Sequence, residues 1–217
     1  MRWKVRTAAL CAAWAVVCSA AAAGRLDPAM ERQDASGDAQ MVARWIADSG
    51  DTEGKPYLIV DKKAARVFVF DGQGRLAASA PVLLGSARGD HSVPGVGEHA
   101  QQGVVPEEER TTPAGRFETH PGRNLDGESI VWFDYEAALA IHRVRPGRSQ
   151  ATRKARLASG TPDERRVSAG CVVVPVAFFL DVIEPLFGRS KGVVYVLPET
   201  QGARELFTQI DAQAGAE

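Results

Sequence analysis

The chain has 217 residues, with 26 Lys and Arg against 27 Asp and Glu and a formal charge of −1. Apolar residues make up 45% and charged residues 24%, an ordinary globular balance. That excludes a disordered or collagen-like chain and a strongly basic nucleic-acid binder, and the length holds one domain with a real core or two small ones.

Residues 1–24 have the three-part pattern of a secretory signal. Arg2, Lys4 and Arg6 form a positive start, Thr7 to about Val17 is apolar, and Ser19 to Gly24 offers small-residue cleavage sites such as that after Ala23. The apolar stretch is shorter than the roughly 20 residues of a comfortable membrane span. Neither Cys11 nor Cys18 follows the small residue a lipoprotein site needs. The expectation is an exported protein, touching the membrane only if the signal stays uncleaved. Cleavage removes three cations, which leaves a net charge of −4, and removes Cys11 and Cys18. Cys171 is then the single cysteine. A lone thiol in an oxidising compartment is buried, joined to another chain, or kept for its reactivity.

Residues 25–56 read as a polar lead-in with a short helix over DAQMVARWIADSG, capped by Asp38, striped by Val42, Trp45 and Ile46, and ended by Gly50. Strand patterns begin at Tyr57. YLIVD, RVFVFD and LAASAPVLLG, with a turn at Asp71–Gly74, predict a β-meander. Residues 85–110 hold five Gly, two Pro and two His without periodicity and read as a long loop. Asp90, His91, Glu98 and His99 lie in this loop at a spacing that matches no metal-ligand pattern, so no metal is expected.

Strands resume with RFETH, SIVWFD and ALAIHRV. Beyond Cys171, Pro175 suits the first turn of a helix that Pro185 should break, VVYVLPE reads as a last strand, and residues 200–217 as a terminal helix and tail. The pattern predicts a mainly β sandwich or barrel with a few short helices.

The chemistry gathers around RVSAGCVVVP. Gly170 permits a sharp turn before Cys171, and backbone N–H groups at such a turn could begin an oxyanion hole. A thiol nucleophile needs a base, usually His. His142 ends an apolar strand, whereas His91, His99 and His120 lie in polar surroundings.

His142 followed by Ser168-x-Gly170-Cys171 resembles the signature of the L,D-transpeptidases, the YkuD-like family. LIVDKKAARVFVFDGQGRL is similar to the opening hairpin of those domains, and TTPAGRFET from Thr111 to their Thr-Pro-x-Gly-x-Phe segment. The likeness spans residues 57–199. It implies an L,D-transpeptidase-like catalytic domain in which Cys171 attacks the third-residue carbonyl of a peptidoglycan stem peptide to give a thioester. His142 would hold the thiolate, and Gly170 and Ser168 would support the oxyanion and the motif. The acceptor would be another stem, a lipoprotein or a free amine, with water making an L,D-carboxypeptidase. No cofactor is implied, and the location would be the periplasm. The sequence departs from the family motif at Ala169, where it has His, and at Val173, where it has Arg or Asn. The His-to-Cys spacing is long, as in one branch of the family.

Residues 143–166 carry eight Lys or Arg and two acids. They read either as a solvated loop with a short helix or as a basic cover for carboxylate-rich stems, with Arg143 and Arg166 as substrate contacts. The competing functions are a catalytically inert or weak wall-binding module of the same fold and, from other classes, a sortase or a papain-like peptidase. In the last two the Arg placement or the Cys–His order disagrees with this chain.

Overall fold

A computed structural model describes Met30 and residues 35–207. The expected signal, 1–24, and the tail beyond 207 lie outside the described residues. Ten strands form the frame: β1 (Tyr57–Asp61), β2 (Arg66–Phe70), β3 (Leu76–Pro81), β4 (Leu84–Gly85), β5 (Gly115–Arg123), β6 (Ser129–Asp134), β7 (Leu139–Arg143), β8 (Arg166–Ser168), β9 (Val172–Val174) and β10 (Gly192–Val196). Eight build one sheet in the order β3-β2-β1-β10-β5-β6-β7-β9, and β4 pairs with β8. The meander β1–β2–β3 forms as predicted, but β1–β10 and β7–β9 are parallel pairs between distant segments.

The sheet nearly closes on itself. Beyond β3, Leu83 exchanges two backbone hydrogen bonds of 2.8 and 2.9 Å with Val173 of β9, which joins the two ends of the strand order. Mainly β architecture with short helices is therefore the fold.

Burial on both faces explains the apolar runs Tyr57–Val60 in β1, Val67–Phe70 in β2 and Val193–Val196 in β10. One set, Leu58, Val60, Val67, Val69, Val194 and Val196, packs inside with Val131, Phe133, Ile141 and Val172. The alternate set, Tyr57, Ile59, Phe68, Phe70, Val193 and Tyr195, packs outside beneath helix α1 (Gly37–Ser49). Each such Val, Leu or Phe contributes about 1.5–3 kcal/mol by full burial. The α1 face of Ala39, Val42, Ala43 and Ile46 meets this outer layer. Its cap is Ser36, whose Oγ accepts from the Ala39 N–H at 3.1 Å, and not the expected Asp38. Gly50 ends it in the left-handed region, at φ +68°.

Two further expectations change. The stretch 85–110 is not featureless, because it contains helix α2 (Val96–Gln101). Helix α3 is Gln150–Ala158. Pro185 does not break the run after Pro175: α4 (Val176–Phe178) passes through a π-helical turn (Phe179–Ile183) into α5 (Glu184–Phe187). Pro185 sits in the first turn of α5, where its missing N–H is tolerated. The terminal helix is described only as far as Phe207.

A buried ion cluster ties the loops together. Lys62, in the β1–β2 turn, places Nζ 2.6 Å from Gly89 O, 2.7 Å from Asp90 Oδ1 and 2.9 Å from Thr112 O. All three ammonium protons thus have acceptors. Burial raises the Asp90 carboxyl, but bonds from Lys62, from Thr200 and from the Glu199 and Thr200 amides outweigh it and hold Asp90 well below the usual carboxylate range. Removing one partner strands the other charge in the interior. Asp90→Ala is expected to cost about 3–5 kcal/mol in urea denaturation. Lys63→Ala, which breaks an exposed pair with Asp38, should cost under about 1 kcal/mol.

Candidate active site

Cys171 and His142 meet on one face of the sheet. The parallel register sets Ile141 beside Val172 and His142 beside Val173. Because side chains alternate, Ala140, His142, Cys171 and Val173 share a face, and all four line one open cleft of about 840 Å³. His142 and Cys171 are diagonal neighbours there. No hydrogen bond joins them; Cys171 Sγ lies 3.9 Å from Ala138 O.

The turn that presents the thiol is built by contacts. Gly170 has φ +115°, and a Cβ there would lie 2.8 Å from both Leu139 Cδ2 and Thr111 O, so glycine is required. Ser168 Oγ donates to Cys171 O at 2.6 Å and accepts the Gly170 N–H at 3.2 Å. Thr112 Oγ1 donates to Gly170 O at 2.8 Å and accepts the Gly85 N–H at 2.9 Å. The Thr-Pro segment therefore buttresses the Cys171 turn, a role that the sequence pattern alone did not assign. The Gly170 N–H, expected to support an oxyanion, is engaged by Ser168 Oγ in this structure.

Burial shifts both members of the pair toward their neutral forms. Burial pushes the His142 imidazole down to about 4, against the Arg143 carbonyl, which raises it; Arg145 and Arg153 lower it further. A carbonyl only accepts, so the 2.8 Å contact to Arg143 O fixes the proton on Nδ1 and leaves Nε2 as the basic nitrogen. Burial also pushes the Cys171 thiol up, opposed by the Ala140 N–H, Arg145 and Arg153. Burial thus acts against the charged form of each group.

Neither expected substrate arginine lines the cleft. Arg143 is on the opposite face of β7 and pairs with Glu128 at 2.8 Å. Arg166 turns into the ion cluster and pairs with Glu199. Arg145 and Arg153 line the cleft instead, with Arg110 and Arg123. Arg145 Nε makes no hydrogen bond but lies 3.9 Å from Glu128 Oε2, and Arg153 has no ion pair among the described residues. Alternation along β7 would have put Arg143 on the far face from His142. Helix α2 and Val105 supply the opposite wall, which gives the 85–110 stretch a place at the site. Within that stretch Asp90 is engaged by Lys62, and His99 Nδ1 lies 2.6 Å from Glu109 Oε2. Among the described residues no cluster of three or more His, Cys, Asp or Glu is placed to hold a metal.

Two outcomes follow from this geometry. Alkylation of Cys171 by iodoacetamide, followed by peptide mass, should climb through pH 9 without a neutral plateau, and His142→Ala should leave that profile unchanged in the empty site. Gly170→Ala should cost about 1–3 kcal/mol or more in thermal melts, since both φ and the space are wrong for a Cβ.

No protein-family model and no curated protein sequence matches this chain. Among solved structures it is similar to the catalytic domain of an L,D-transpeptidase from E. faecium, at 19% identity over 66% of this chain and 98% of that one, with a TM-score of 0.34. It is similar to an L,D-transpeptidase from Xylanimonas cellulosilytica at 15% identity, over 65% of this chain and 60% of that one, TM-score 0.37. It is also similar to a helical cell shape determining protein from Campylobacter jejuni at 14% identity, over 78% of this chain and 62% of that one, TM-score 0.43. The chain thus spans about three fifths of the latter two structures.

Proposed function

We propose that residues 57–199 form a cysteine acyltransferase domain that exchanges acyl groups on peptidoglycan stem peptides, an L,D-transpeptidase reaction, in an exported, periplasmic protein whose residues 1–24 direct export. The observation that carries this reading is the placement of Cys171 and the Nδ1-anchored His142 on one face of an open cleft.

In this mechanism the substrate closes the gap between the two side chains, as catalytic contacts often tighten only on binding. Cys171 Sγ attacks the carbonyl carbon of the third stem residue while its proton passes to His142 Nε2. The Cys171 N–H faces the developing oxyanion. The intermediate collapses, the C–N bond to the terminal D-amino acid breaks, and His142 returns the proton to the leaving amine. An amine acceptor then attacks the thioester, His142 takes its proton, and the thiol re-forms. Stem, lipoprotein and free-amine acceptors use the same acyl-enzyme, and water yields L,D-carboxypeptidase activity. Arg145 and Arg153 favour the thiolate once it forms and draw carboxylates to the cleft.

One observation favours the second reading, a wall-binding module without turnover: the dyad is not hydrogen-bonded and the Gly170 N–H is occupied. Intact-mass analysis after incubation with a tetrapeptide stem separates the two. The enzyme reading expects a mass gain equal to the stem minus the released terminal amino acid, absent in Cys171→Ala and formed about 10²–10⁴-fold more slowly in His142→Ala. The acylation rate should fall only as pH drops toward about 4, where the imidazole protonates. No adduct on the folded protein would favour the binding module.

A further inference from the structure

The sheet face that carries the thiol continues away from it. The register sets Trp132 of β6 beside Ala140 of β7 and His120 of β5 beside Trp132. Ala140 is the neighbour of Cys171 across the parallel pair. One row therefore crosses the strands from Cys171 through Ala140 and Trp132 to His120. Strands lie about 4.8 Å apart, so Trp132 stands roughly 10 Å from the nucleophile.

Trp132 is not alone. Tyr135, just beyond β6, is 80% exposed and packs edge-on against it, with ring centroids 5.2 Å apart. Gly122 makes room for the indole: a Cβ there would fall 2.5 Å from Trp132 Cδ1 and Nε1. Both aromatic residues line the catalytic cleft and also a second groove of about 630 Å³, which runs past His120, Pro121 and Gly122. The ring pair is thus a ridge joining two concavities. An aromatic side chain left this exposed on a soluble surface commonly marks a recognition site.

We infer that the Trp132–Tyr135 ridge and its groove are a saccharide subsite that takes an N-acylated amino sugar of the glycan strand to which the stem is attached. This rests on the proposed stem-peptide function. The chemistry fits a sugar better than an apolar side chain. A pyranose presents a flat face of C–H groups, slightly positive, to the negative face of an aromatic ring. The margins of the ridge carry hydrogen-bonding groups, His120 on the groove and Asp126 on the cleft. Reach agrees as well. Stem peptides join the sugar at their N-terminus, and three residues extended cover about 10 Å, the separation of Trp132 from Cys171. The donor stem then runs across β7 and β6 toward β5, with its sugar on the aromatic ridge.

Full-chain Cys171→Ala protein, titrated calorimetrically, tests this without any turnover. The probes are a free tetrapeptide stem, the same stem on its disaccharide, and a stemless N-acetylglucosamine oligomer. The disaccharide stem should bind about tenfold more tightly than the free stem. Tyr135→Ala in this background should remove that gain and leave free-stem affinity and the melting temperature unchanged, whereas Tyr135→Phe should keep it. Equal affinity for the two stems, or loss of both alike in Tyr135→Ala, would overturn the subsite. If the free stem does not bind, oligomer binding that Tyr135→Ala abolishes supports the subsite, and no oligomer binding overturns it. Failure of wild-type protein to form an acyl-enzyme would strike the catalytic proposal and leave this measurement decisive for the sugar.

Discussion

The ammonium of Lys62 organises the molecule's working end. It is fully buried, and its three protons reach three acceptors on two segments far apart in sequence, Gly89–Asp90 and Thr112. Holding the Thr112 carbonyl fixes that residue's hydroxyl. The hydroxyl in turn grips the Gly170 carbonyl and the Gly85 amide. A continuous polar path thus leads from a charge in the β1–β2 turn to the peptide bond just before Cys171. Such a charge is costly to bury and costly to strand, so the surrounding loops have essentially one arrangement that satisfies it.

The second theme is electrical restraint. The thiol and imidazole sit where burial disfavours both charged forms, yet two arginine side chains, Arg145 and Arg153, face the same cleft. The cations lower both groups, which is the direction that helps a thiolate and hinders an imidazolium. Burial and the two cations therefore oppose each other at the thiol and act together at the imidazole.

Much of the framework was legible because local physics decided it. Tyr57–Asp61 and Arg66–Phe70 are apolar on both faces, and they became sheet-centre strands covered inside and out. The Cys171 turn was legible from Gly170, whose conformation and close contacts admit no side chain. What the sequence concealed was non-local. Arg166 finds Glu199, 33 positions away, and Thr112 finds Gly170, 58 positions away. Nothing in either neighbourhood announces those partners. Arg143 was a different failure: strand alternation places it opposite His142, and adjacency in sequence was misleading. The helix cap moved from Asp38 to Ser36 because the residue with the extended backbone, at φ −63° and ψ 160°, is the serine.

The parallel pairing of β1 with β10 has a consequence for how the chain acquires this form. Tyr57 faces Val193, so the middle of the sheet joins residues from nearly opposite ends of the domain. The β1–β2–β3 meander needs only short loops to assemble, whereas the central seam and the Leu83–Val173 closure require very long ones. Long-range closures are slow because their entropy is lost before their contacts are gained. Val173 is part of that late closure and lies two residues from Cys171. The reactive centre is therefore finished near the end of folding, and the thiol keeps the ordinary reactivity of an open chain until the sheet shuts.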